Sequence, residues 1–178
     1  MGTQNEPHIP VMPKEALELL RLAAGGVAVD GTLGMAGHAL LMAQALGPHG
    51  HLIGIDRDSA SLRIAQEKLA SLDLKIDLLR ASFSTLDQVL ASLKVSAVDG
   101  ILLDLGISSF QLDQEARGFA FKTDGPLDMR MDQTQGISAA DLVNTLKEDQ
   151  LEKIIFEFGE DRFCSSDCQG HCDAKGQG

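Results

Sequence analysis

Residues 27–41, VAVDGTLGMAGHALL, set small residues between an apolar run of strand character and one of helical character. The spacing of Gly31, Gly34 and Gly37 lets backbone come near a ligand, and the helix start behind them offers free N–H groups. Asp56 closes the next apolar run, HLIGID, where a carboxylate can accept hydrogen bonds from a ribose diol. Together these residues point to an adenosine-containing cofactor. The plainer alternative is a tight strand-to-helix turn with a solvated Asp, because a glycine pattern alone has low specificity.

Two cofactor types compete for this turn. A dinucleotide site wants G-x-G-x-x-G, and here Thr32 stands at the first position, with only Gly34 and Gly37 in register. An acid before the turn, Asp30, suits S-adenosylmethionine better, since it can face the ammonium or sulfonium of that cofactor. No Gly-Lys-Ser/Thr follows, so the turn is not a P-loop.

Asp104 is expected at the carboxyl end of a fourth strand, the edge where an α/β sheet presents its ligands. Beyond it, residues 104–132 read DLGISSFQLDQEARGFAFKTDGPLDMRMD, a stretch that fits neither strand nor helix period. Irregular loops of this length in compact domains are uncommon and usually functional or disordered. This one carries too much Phe, Leu and Met for a solvated linker. Gln111, Asp113, Arg117, Asp124, Asp128, Arg130 and Asp132 supply its polar groups. For Asp128, Arg130 and Asp132, mutual capping and pairing is as good a reading as a direct role.

The elements that must hold these residues alternate. Helical spacing marks residues 14–22. Strands are expected at 27–30, 51–56, 75–83 and 98–106, and helices from His38 to near Gly47, from an N-cap at Ser59 to about Leu72, and from about Thr85 to Leu93. After the loop, Ser138 resembles an N-cap for SAADLVNTL, and a further helix covers about 148–158. Strands alternating with helices, apolar on both faces, predict a mostly parallel α/β sheet.

The 178-residue chain is 44% hydrophobic, enough for a sizeable core, and has neither Trp nor Tyr. Its formal net charge of −11 argues against an extended nucleic-acid face, which needs clustered Lys and Arg. No apolar run approaches a membrane span, and residues 1–10 lack the features of a signal or transit peptide. All three cysteines fall in the last fifteen residues, so a cytoplasmic protein without a disulfide framework is expected. Cys164, Cys168, His171 and Cys172 suggest a zinc site, but adjacent His171 and Cys172 rarely bind one ion, and no metal is expected. An unstructured tail is the better reading of 164–178.

HIPVM at 8–12, DGTLGMAGH at 30–38, IDRD at 55–58 and above all residues 104–132 closely resemble the RsmH (MraW) family. Its members are S-adenosylmethionine-dependent methyltransferases acting on N4 of a cytidine in the decoding region of bacterial 16S rRNA. The resemblance spans about residues 8–163 and implies a Rossmann-like methyltransferase fold with a helical domain inserted after the fourth strand. Three regions follow: 8–110, the first four strands of the methyltransferase domain; 111–163, the loop and start of the insertion; and 164–178, the non-family tail.

Family cofactor positions carry over one by one. The Gly-Gly-His turn falls on Ala36, Gly37 and His38, the ribose acid on Asp56, and the adenine-flanking residue on Phe83. Asp104 and Gln111 complete the set. On the residues alone, His38 would be an ordinary helix-start residue and Phe83 core. Ala36 replaces the usual Gly, which costs stability if that position needs positive φ. Asp104-Leu105-Gly106-Ile107 occupies the place of an amino-methyltransferase tetrapeptide without its prolines or aromatic. Asp104 is therefore only a candidate for orienting the amine, and the catalytic group is otherwise unassigned.

Family members continue past GEDRF at 159–163 with further helices and strands, so the chain is expected to be C-terminally truncated and impaired in catalysis. An exposed fourth-strand edge would then favour aggregation or a homodimer. The partner implied is 16S rRNA in the small ribosomal subunit. The alternatives are a non-catalytic, cofactor-binding remnant and an NAD-dependent oxidoreductase, the latter disfavoured by Thr32 and the long loop.

Overall fold

A computed structural model describes residues 10–159 and Cys168. The chain divides after Phe110 into two compact units.

The first unit is built on four parallel strands: β1 (Val27–Asp30), β2 (His51–Asp56), β3 (Lys75–Arg80) and β4 (Gly100–Leu102), in the order β3-β2-β1-β4. Helices α1 (Pro13–Leu20), α2 (Gly37–Leu46), α3 (Ser59–Leu69) and α4 (Leu86–Ser92) connect and cover them. Side chains alternate across a strand, so each strand feeds both faces. Ala28 and Leu52 pack with Met42, Ala43 and Leu46 of α2 and with Ala65 and Leu69 of α3. Their neighbours Val29, Ile53 and Ile55 turn the other way, onto Val89 and the partly buried Leu86 and Leu90 of α4. The expected Rossmann-like layering is thus present, helices on both faces of a parallel sheet.

The strand order carries the functional consequence. From β1 the chain steps outward to β2 and β3, then returns to place β4 on the opposite side of β1. That reversal opens a crevice between the carboxyl ends of β1 and β4, the general ligand position in open α/β sheets.

Several element ends differ from the sequence reading. The third strand stops at Arg80, because the Ser82 hydroxyl accepts from the Ser84 N–H and bends Phe83–Thr85 into a 3-10 turn. The fourth strand is Gly100–Leu102, not 98–106. β1 runs out: Asp30 pairs with Leu102, Gly31 N donates to the Leu102 carbonyl at 2.9 Å, and the chain then turns away. Asp104 therefore lies two residues past the strand. Helix α3 is capped by Asp58 rather than Ser59, the Asp58 carboxylate accepting from the Ala60 N–H at 2.9 Å. It ends at Leu69 instead of Leu72.

The outer edge of β4 has no strand partner among the described residues, and Ile101 and Leu103 beside it are nearly half exposed. Among the described residues no helix is long and apolar enough to cross a membrane.

The chain passes through α5 (Ser109–Asp113) into the second unit. Its loop is ordered from within. Arg117, in the 3-10 turn Glu115–Arg117, is buried and donates to the carbonyls of Arg130 (3.1 Å) and Met131 (2.8 Å). Its guanidinium stands over the Phe119 ring. Asp128 accepts from Arg130 Nη2 (2.7 Å) and Nε (2.8 Å), and this pairing holds its carboxyl below the ordinary range. Asp132 accepts from the Thr134 N–H and the Gln135 amide. Ser138 and Asp141 form a reciprocal capping box at the start of α6 (Ala139–Thr145), as the N-cap reading requires. Helix α7 (Glu148–Gly159) follows.

Cys168 is helical and buried. The other proposed tail ligands, Cys164, His171 and Cys172, lie outside the described residues, as do His8, Ile9 and most of GEDRF.

Candidate functional site

At the carboxyl end of β1 the glycine turn is fastened from both sides. Gly34 N donates to Asp56 Oδ2 at 2.8 Å, and Leu33 N to the Ile55 carbonyl at 3.0 Å. Across the crevice, Asp104 N donates to Thr32 Oγ1 at 2.7 Å. One short turn thereby joins the ends of β1, β2 and β4.

Asp56 holds more than the turn. Its second oxygen accepts from Asp58 N at 2.8 Å, tying the strand end to the capping residue of α3. Burial pushes the Asp56 carboxyl up, while the N–H groups of Asp58 and Gly34 pull it down. The backbone N–H of Arg57 also acts on it, which leaves one of the carboxylate's roughly four lone-pair sites for a ligand hydroxyl.

Ala36 is the N-cap of α2 at φ 57°, ψ 33°, and its methyl is fully buried in the core. The position does require the left-handed region, so alanine carries strain here that glycine would avoid. Gly37 follows, in van der Waals range of Pro10: a Cβ on Gly37 would stand 3.2 Å from the Pro10 ring. His38 is nearly buried, with Nε2 at 3.9 Å from Asp104 Oδ2.

Phe83 opens the 3-10 turn after β3 and is 42% exposed, so it is not the core residue its type alone would suggest. A Cβ on Gly31 would meet Leu103 Cδ2 at 2.6 Å and Phe83 Cβ at 3.3 Å. Gly31 is thus where the fourth-strand end and the exposed Phe83 close in on the turn. A side chain there would have to displace the Leu103 methyl and press on Phe83.

Asp30 departs from its expected posture. It is 1% exposed and folded under the turn, Oδ1 accepting from Thr32 N at 3.1 Å. It therefore presents no surface for direct contact with a cation. Burial raises its carboxyl to about 7; the Thr32 N–H opposes this, and the like charges of Asp56 and Asp104 add to it.

The structure thus gathers Ala36, Gly37, His38, Asp56, Phe83 and Asp104 around one crevice of the first unit. Gln111 belongs to the second unit, where it is buried. Two participants escaped the sequence reading. By spacing Thr32 is only a missing glycine, yet its hydroxyl secures Asp104. Pro10 is only part of the HIPVM motif, yet it lies against Gly37. Neither contact has a local signal, since each joins distant parts of the chain. Among the described residues no cluster of His, Cys, Asp and Glu has the arrangement of a metal site.

The sequence matches the MraW methylase family over residues 5–174, further toward both ends than the 8–163 marked by the motifs. It is 54% identical over 156 residues to the ribosomal RNA small subunit methyltransferase H of Geobacter sulfurreducens, covering 88% of this chain and 50% of that protein. It is 51% identical, with the same coverage, to the protein of that name from Citrifermentans bemidjiense. The one from Methylobacillus flagellatus is 46% identical over 162 residues, 91% of this chain and 50% of that protein. The chain spans about half the length of these relatives. Among solved structures, NSun6 from Pyrococcus horikoshii overlaps 57% of this chain and 25% of its own, with 23% identity and a TM-score of 0.44.

Proposed function

Taking as premise that the chain belongs to the MraW methylase family, we propose that its crevice binds S-adenosylmethionine for methyl transfer to N4 of a cytidine in the decoding region of 16S rRNA. The observation that carries the reading is the double fastening of the glycine turn, to Asp56 on one side and to Asp104 on the other.

The donor set suits the cofactor. Asp56 offers a remaining lone pair at the tip of β2, the ordinary seat of a ribose diol in this architecture. Phe83 offers an exposed ring face for adenine. His38 and Asp104 flank the mouth where β1 and β4 part. Gln111 completes the family set. Bound there, S-adenosylmethionine supplies a methyl group activated on a sulfonium sulfur.

The amine is a poor nucleophile, because its lone pair is delocalised into the cytosine ring. Alignment therefore supplies much of the rate, and a nearby acceptor must draw off or polarise the amine proton. Asp104 is the candidate for that task. Its backbone is fixed by Thr32, while its side chain stays half exposed. The 16S rRNA of the small subunit is the partner this reading requires.

Calorimetric titration of the chain with S-adenosylhomocysteine and with NADH tests the cofactor. Binding of NADH alone would overturn the reading in favour of a dehydrogenase. Tritiated methyl incorporation into 30S subunits tests the transfer.

A further inference from the structure

Asp30 takes no part in the contacts assigned above to ribose, adenine or amine. It is nonetheless the most deeply buried carboxyl of the crevice, at the carboxyl end of β1 where the strand order reverses. Its partners are backbone N–H groups, those of Thr32 and Ala39. The charges acting on it are of like sign: Asp56 from the end of β2 and Asp104 from beyond β4. Of the basic side chains nearby, His38 on α2 lies 3.9 Å from Asp104, and Lys68 on α3 donates to the Met35 carbonyl at 3.2 Å. A carboxyl in these surroundings is short of positive charge. Desolvation and two neighbouring carboxylates favour its neutral form.

A ligand carrying a fixed cation reverses that balance. We propose that Asp30 is a charge-sensing positioning residue: lying beneath the glycine turn between Asp56 and Asp104, it surrenders a proton when a sulfonium ligand occupies the crevice and regains one when the ligand is a neutral thioether. It acts through the turn rather than by contact. This deepens the methyl-donor reading and rests on it. Methyl transfer breaks the sulfur–methyl bond, forms the nitrogen–methyl bond, and leaves a thioether and one proton from the amine. With the sulfonium charge gone, Asp30 takes a proton from solvent, and the site loses its preference for the bound molecule. The residue thereby separates donor from product by charge, although the two differ by a single methyl group.

Its ionisation near pH 7 fixes where the effect is read. The 178-residue chain is titrated calorimetrically at pH 6.5 with S-adenosylmethionine and with S-adenosylhomocysteine, each in two buffers of different ionisation enthalpy. The donor is expected to release about three-quarters of a proton more than the product, and its relative affinity to rise about fivefold from pH 6 to pH 7. Asp30→Asn, checked for folding by thermal melting, should abolish both differences. Asp87→Asn, which removes an exposed carboxylate on α4, should keep them. Equal proton release by the two ligands in the wild-type chain overturns the inference while leaving the cofactor reading intact. So does a difference that survives in Asp30→Asn or vanishes in Asp87→Asn. Binding of neither ligand overturns the cofactor reading and this inference with it.

Discussion

The backbone N–H of Asp104 donates to the Thr32 hydroxyl at 2.7 Å, across 72 residues of sequence. This bond spans the point where the strand order reverses and holds the first turn after β4 against the first turn after β1. A glycine at position 32, as a dinucleotide fingerprint would have, could not make it. Thr32→Val keeps the shape and removes the acceptor. A partly solvated hydrogen bond of this kind contributes about 1 kcal/mol. Thr32→Val is expected to lower stability by about that amount in urea titrations and to weaken S-adenosylhomocysteine binding several-fold. Unchanged affinity would show that Asp104 does not depend on this anchor.

Asp30 predicts a pH dependence of folding. Its carboxyl is raised from 3.8 to about 7, with burial the main cause. The folded state therefore favours the protonated form. The associated stability is complete below the unfolded value and is lost as pH rises through about 7. At about 1.4 kcal/mol per unit, the loss over that window is on the order of 4 kcal/mol. Chemical denaturation of wild type and Asp30→Asn at pH 5 and pH 8 should show the wild type losing more stability between the two. Parallel behaviour would refute the assignment.

Phe83 is partly exposed at the crevice rather than packed in the core. Stacking of a base on an aromatic ring contributes about 1–3 kcal/mol. Phe83→Leu should therefore weaken S-adenosylhomocysteine roughly 5- to 100-fold, with little change in melting temperature. A large drop in melting temperature with affinity intact would return Phe83 to a structural role.

In the second unit, Gly125 abuts the Glu115 carbonyl, and Gly118, at φ 70°, abuts the Pro126 carbonyl. A methyl group at either place meets backbone. Gly125→Ala is expected to loosen this loop at a cost of about 1–3 kcal/mol. Hydrogen exchange should show it locally. The amides of Met129, Ala139 and Ala140, bonded to the carbonyls of Arg117, Asp128 and Leu127, should lose protection, while those of β1 and β2 keep theirs. Uniform loss across both units would contradict the local account.

What the sequence determined by itself was the alternation of β1, β2 and their helices, the Ser138 cap, and the family signature at 104–132. Each is local: a periodicity, a side chain reaching its own neighbours, or a contiguous motif. Asp56 and the glycine turn were legible as a site for the same reason, since their positions relative to strand ends follow from short-range pattern. The tertiary structure alone decided how far each strand runs and which side chains face the crevice. β4 ends at Leu102 because β1 has no further residues to pair with it. Asp30 is covered because the turn that follows it is pulled over by Asp56 and Thr32. These outcomes depend on bonds between residues 22 and 72 positions apart, which no window along the chain contains.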